Sequence, residues 1–261
     1  MLKATVFPND VARNLADPNA PTVGTRVEVV HINSFQRGVE NPQYEDEDDE
    51  MWFHWYTFFP SITELPVPNR FHIWTQFHQN LTESNCPVIN GQGSVKCGAV
   101  PILFNLRDYG SGPLLQFLVI DKSNGNFWES LWNASLQRGG WYEFLFHVKW
   151  DKCGDTNVKV YDRNNYNLDG TCKNNNGGFV ELWVKQPSDN ALVKVVSKTD
   201  PDAQRYTMDD DGLVYAKQGL YTGTGGTTSQ TIYHDGMEIA KCPSTHPNYH
   251  PNTGKCFTTE P

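Results

Sequence analysis

Between Trp141 and Trp150 apolar and polar residues alternate with a period of two. Tyr142, Phe144, Phe146, Val148 and Trp150 fall on one side, and Glu143, His147 and Lys149 on the other. Side chains of an extended chain point to opposite faces in turn, so this segment predicts a strand with its aromatic face on a core. Phe71–His78 reads the same way, with Phe71, Ile73, Thr75 and Phe77 inward and His72, Trp74, Gln76 and His78 outward. Further strands are predicted at Thr25–Ile32, Met51–Phe59, Leu114–Asp121, Phe179–Lys185, Leu192–Ser197, Leu213–Tyr221 and Gln230–Ala240. About ten strands without a strong amphipathic helix predict an all-β fold, a two-sheet antiparallel sandwich. No repeat or linker interrupts residues 1–261, which read as one domain with 241–261 as a C-terminal tail.

Composition adds the setting. Aromatics make up 13% of the 261 residues, and glycine and proline recur throughout, as short strands joined by turns require. No apolar run approaches the ~20 residues that cross a bilayer, so no membrane partner is expected. Leu2–Ala20 lacks the basic and apolar segments of a signal peptide, and Met1 reads as an initiator placed on a mature sequence. The six cysteines form three sequence-local pairs: Cys86 with Cys97, Cys153 with Cys172, and Cys242 with Cys256. None has zinc or redox spacing, so three loop-clamping disulfides and a secreted, extracellular protein are expected. The sequons at Asn80 and Asn133 fit secretion. A formal net charge of −9 argues against nucleic-acid binding, which rests on neutralising phosphates. It does not exclude an acidic sugar, because a groove can be locally basic.

The loops invite bland readings. Glu45–Glu50 is an acidic run read first as a solvated loop, although calcium could bind there. Gly223–Ser229 is glycine-rich but lacks the ending of a phosphate loop. Asp235 is a weak candidate cation ligand, with a turn carboxylate the equal alternative.

Chemistry concentrates on four predicted strands. Arg26 and Glu28 share one, Trp52, His54 and Tyr56 a second, Trp74, Gln76 and His78 a third, and Tyr215, Lys217 and Tyr221 a fourth. On one sheet face these would line a groove with stacking surfaces and ionisable groups, suited to an extended sugar chain. Each motif alone is weak: Gln76 and His78 could be solvated strand residues, and His54 and His147 are each more often structural than chemical. Cleavage of a uronate by β-elimination would use the mixture. Amide or cationic donors stabilise the carboxylate as charge develops, a base takes the C5 proton, and an acid protonates the departing O4.

The ordered series RVEVVH, MWFHWYTFFP, FHIWTQFH, GGWYEFLFHVKW, GGFVELWVKQ, YAKQGLY and TIYHDGMEI, from Arg26 to about Ile239, resembles the jelly-roll polysaccharide lyases. The group it resembles unites fungal endo-glucuronan lyases with heparin-lyase-I-like proteins. The resemblance implies a concanavalin-like β-jelly roll in which Gln76 and Arg26 neutralise the carboxylate, His78 is the base, and Tyr221 is acid or acid/base. Lys217 would contact substrate, and Glu28, His54, Trp74, Tyr215 and His147 join it as substrate-binding candidates. No cofactor is required for such chemistry, any calcium would be structural, the partner is an acidic polysaccharide, and a monomer is expected. Val27, Val29 and Phe77 depart from the alginate-lyase pattern, which disfavours alginate. The few candidate cations, Arg26, Lys217 and Lys149, and the net charge of −9 put glucuronan before a heparin-type chain.

Two other classes compete. A carbohydrate-binding module on the same sandwich would need the aromatic strip but has no use for Gln76, His78 and Tyr221 together. A glycoside hydrolase would need two carboxylates flanking the scissile bond, and no candidate strand offers that pair.

Overall fold

The computed structural model describes residues 1–6, 24–31, 50–60, 71–80, 100–119, 128–150, 178–200, 203, 213–223 and 229–261. Fourteen strands lie among them. The first seven are β1 (Leu2–Val6), β2 (Gly24–His31), β3 (Glu50–Phe59), β4 (Phe71–Asn80), β5 (Ile102–Asp108), β6 (Pro113–Val119) and β7 (Glu129–Ser135). The rest are β8 (Gly140–Lys149), β9 (Phe179–Lys185), β10 (Val193–Val196), β11 (Leu213–Gly223), β12 (Gln230–Ala240), β13 (Asn248–His250) and β14 (Lys255–Phe257). Two six-stranded antiparallel sheets result, ordered β1-β12-β3-β8-β9-β10 and β2-β11-β4-β5-β6-β7, with β13 and β14 as a separate ribbon. This is a jelly-roll sandwich, as expected.

The core forms where the two inner faces meet. From β8 it takes Tyr142, Phe144, Phe146 and Val148, with Trp150 just beyond, all fully buried as their alternation predicts. Phe53 and Trp55 of β3 join them and meet the opposite sheet ring to ring, at 4.8 Å from Phe77 and 5.1 Å from Phe104. Burying rings of this size dominates the apolar gain, and edge-to-face contacts add to it.

Alternation misleads on β4. Trp74 and Thr75 are consecutive, yet both are about 1% exposed. The register with β5 shifts between Ile73 and Thr75, and that with β11 shifts between Gln218 and Tyr221. An irregularity of this kind inserts an unpaired residue and turns the strand over. Trp74 therefore points into the core, 4.9 Å from Phe144 and 5.5 Å from Phe59, and is not a groove residue as its parity with Gln76 predicts.

The tail closes over the outer face of the first sheet. Cys242 and Cys256 are disulfide-bonded as expected. Trp52 donates its indole N–H to the Pro247 carbonyl at 2.9 Å, and Tyr249 packs with Trp52, Leu145 and Trp183 in a second apolar cluster. The expected pairs Cys86–Cys97 and Cys153–Cys172 lie outside the described residues, as does the acidic run before Glu50.

Candidate functional site

Three of the four chemistry-bearing strands are neighbours, in the order β2-β11-β4. Register places Lys217 opposite Gln76 and Tyr215 opposite His78 on the β4 side. On the β2 side Gly219 faces Glu28 and Tyr221 faces Arg26, which is placed here by its backbone. All these positions share the face away from the core, because Val214, Ala216 and Leu220 of β11 are the residues that point inward.

A hydrogen bond crosses this face. Gln76 donates from Nε2 to Glu28 Oε1, and since β11 lies between their strands, the pair spans it. Gly219, opposite Glu28, has no side chain to obstruct that crossing. The carboxylate oxygen of Glu28 accepts here, which orients the Gln76 amide with its nitrogen toward β2 and leaves its second N–H for a ligand. Further along, the Tyr215 hydroxyl and His78 Nδ1 are 3.4 Å apart, and Lys217 Nζ lies 5.4 Å from the centre of the Tyr215 ring. Tyr221 sits at the other end, its ring 5.3 Å from Phe71. Tyr221 and His78 are five residues apart by register on β4, about 16 Å along the strand, with Gln76 between.

The fourth strand is elsewhere. β3 belongs to the opposite sheet, so Trp52, His54 and Tyr56 do not line this face, and neither do His147 and Lys149 of β8. His54 is instead held between carboxylates on the outer face of that sheet, its Nε2 3.0 Å from Glu143 and its Nδ1 3.3 Å from Glu238. The hydrogen bond from His54 holds Glu143 below its usual range. Burial pushes the neighbouring Tyr56 hydroxyl up to about 12, and the Glu143 charge adds to that.

His147 repeats the arrangement. Trp52 stacks on its ring at 3.9 Å, while its nitrogens lie 2.9 Å from Glu181 and 2.8 Å from Glu50. Lys194 reaches the same Glu181 at 3.2 Å and Glu260 of the tail at 2.6 Å. Burial alone would raise Glu181, but the His147 hydrogen bond and the Lys198 and Lys194 charges outweigh it and lower the carboxyl to about 2. Both histidines thus link strands through carboxylates on the sheet that does not carry β2, β11 and β4, away from Gln76, His78, Lys217 and Tyr221. Asp235 is exposed on this same sheet, and no group of three or more His, Cys, Asp or Glu side chains suited to a metal occurs among the described residues.

The groove face also extends where no strand is predicted. On β5, Ile102, Phe104 and Leu106 enter the core while Leu103 lies opposite Gln76 and Arg107 opposite Phe71. The signal was present as Ile-x-Phe-x-Leu followed by the turn DYGSG and the run PLLQFLV, a hairpin pattern.

The family model described as polysaccharide lyase matches residues 2–238. Solved structures similar to the chain include an alginate lyase from Pseudomonas aeruginosa, 13% identical, covering 89% of this chain and 86% of that one with a TM-score of 0.39. The catalytic domain of a glycoside hydrolase family 131 protein from Coprinopsis cinerea is 16% identical, with coverages of 92% and 70% and a TM-score of 0.48. A marine alginate lyase from Aplysia kurodai is 11% identical, with coverages of 83% and 82% and a TM-score of 0.39. No curated protein matches the chain.

Proposed function

The chain belongs to the polysaccharide lyase family, and we propose that it cleaves β-1,4-linked polyglucuronate internally by β-elimination on the face formed by β2, β11 and β4. The observation that carries this reading is the register that gathers Glu28, Gln76, His78, Tyr215, Lys217 and Tyr221 on three adjacent strands.

A sugar chain crossing these strands places one uronate over Gln76, whose amide and Arg26 take the carboxylate. Negative charge delocalises onto that carboxylate as the C5 proton leaves, so donors already aimed there lower the barrier without reorganising. His78 accepts the proton, with its ring steadied by the Tyr215 hydroxyl. The C5–H electrons form the C4–C5 double bond, the C4–O4 bond breaks, and Tyr221 protonates O4. Lys217 holds a carboxylate or hydroxyl of the chain between them. His78 and Tyr221 stand on either side of Gln76 along the strands, and so approach the crossing chain from its two edges.

Substrate choice follows from charge density. A heavily sulfated chain favours a dense cluster of Arg and Lys for paired contacts. Lys149, which would have added a cation, belongs to the other sheet. Among the described residues the cations on this face are Lys217, Arg107 and, by its backbone, Arg26, and a chain with one carboxylate per sugar matches that number. The test is ultraviolet absorbance of unsaturated uronate across polyglucuronate, heparin and alginate at equal uronate concentration. Polyglucuronate is expected to give the fastest rise. Faster cleavage of heparin would refute the charge-density argument, and binding without an unsaturated product from any of them would replace the lyase reading by a binding module.

A further inference from the structure

The β5–β6 hairpin presents a cation and an aromatic ring that the reaction above does not use. Arg107 is exposed near the end of β5, on the same face as Gln76, and its guanidinium carbon lies 4.9 Å from the centre of the exposed Tyr109 ring. No carboxylate pairs with Arg107 among the described residues, although the chain carries a formal net charge of −9.

The support beneath this pair is polar and ordered. The His72 backbone N–H donates to Asn105 Oδ1 at 3.1 Å, and Asn105 Nδ2 donates to Gln116 Oε1 at 3.2 Å. The Tyr109 hydroxyl donates to that same Gln116 oxygen at 3.4 Å. Asn105 and Gln116 are buried, so the relay ties the ring to β4 through groups that water does not loosen. The turn is braced as well. Asp108 Oδ1 accepts from the Gly110 N–H at 2.7 Å and the Gly112 N–H at 3.2 Å, and both glycines adopt positive φ.

We propose that Arg107 and Tyr109 form a distal subsite that binds the carboxylate and ring of a uronate away from the scissile bond, a role resting on the polyuronate reading above. β5 is two strands from β11, which carries Tyr221, about 10 Å across the sheet. Leu103 is the β5 residue opposite Gln76, and Arg107 lies four residues further on, opposite Phe71. A chain running obliquely from Gln76 toward the Tyr221 end of the face therefore reaches Arg107 about 14 Å away, roughly three sugars from the reacting one. A guanidinium resting on one face of a ring keeps its N–H edge open to a carboxylate, and the opposite face of the ring takes the apolar side of the pyranose.

The full chain and its Arg107→Ala variant are compared on polyglucuronate and on glucuronate oligomers of increasing length, with Arg138→Ala as a control for loss of one exposed charge. An exposed charge pair predicts a KM about fivefold higher on the polymer with kcat unchanged. The shortest cleavable oligomers and the Arg138→Ala protein should show no change. An unchanged polymer KM, or an equal rise at every length, would overturn the subsite. Calorimetric binding separates this from the activity reading. Wild type should bind carboxylated oligomers more tightly than Arg107→Ala, and the two should bind carboxyl-reduced oligomers equally. If wild type yields no unsaturated product, the activity reading falls, and that binding difference alone keeps or sinks the subsite.

Discussion

Replacing Glu181 by Gln tests whether the histidine network on the outer sheet is structural. Glu181 is about 1% exposed and accepts from His147, from the Lys194 ammonium and from the Lys198 backbone N–H. Its carboxyl lies at about 2 in the folded protein against an ordinary 4.5, a difference of ~2.5 units. At 1.36 kcal/mol per unit, ionised Glu181 contributes about 3 kcal/mol to stability. A depressed carboxyl stabilises the fold fully above its unfolded value and loses that contribution as pH falls through the folded one. Wild type should therefore lose about 3 kcal/mol from this group between about pH 5 and pH 2. Glu181→Gln lacks that titration, so its deficit of about 3 kcal/mol at pH 7 should shrink steadily in acid. Urea unfolding at a series of pH values, followed by tryptophan fluorescence, measures it. The folded variant should also keep its kcat/KM at pH 7, because the network lies on the sheet opposite the groove. A stability difference that stays constant from pH 7 to pH 2.5, or a raised KM in the folded variant, would refute the reasoning and return His147 to the substrate.

The groove offers two further tests. Tyr221→Phe should lower turnover by at least about a hundredfold, as loss of a general acid does, whereas Tyr215→Phe, which only loosens His78, should cost about tenfold. Stopped assays on the same polyuronate compare them, and a larger loss from Tyr215→Phe would make that hydroxyl the acid. Gly219→Val puts a branched side chain under the Gln76–Glu28 hydrogen bond. Gly219 has a φ of 157°, where a branched residue is strained, so the melting temperature should fall. The kcat of the folded variant should drop about tenfold or more, and normal turnover in it would show that the crossing bond is dispensable.

Much of the fold was legible because core-facing positions on a strand must alternate. The β8 segment declared its buried face in five aromatic and aliphatic residues, and β9 and β12 began and ended where their patterns did. The short edge strand β1, and β7 with its largely half-buried side chains, lacked that contrast and were not anticipated.

The candidate site divides in the same way. Tyr215, Lys217 and Tyr221 share a face of one strand, and spacing alone says so, because their separation is even and β11 keeps its register with β2. Sequence also allowed Cys242 and Cys256 to be paired across a short loop. Which strands stand side by side is a different question, since pairing in a jelly roll joins segments far apart in the chain. Only the assembled sheets placed β3 away from β11, and so moved His54 and His147 from the groove to carboxylate partners on the other side of the protein. Trp74 shows the local limit. One irregular residue reverses every later side chain, and nothing in an alternating string marks where it occurs, because it arises from the fit between neighbouring strands.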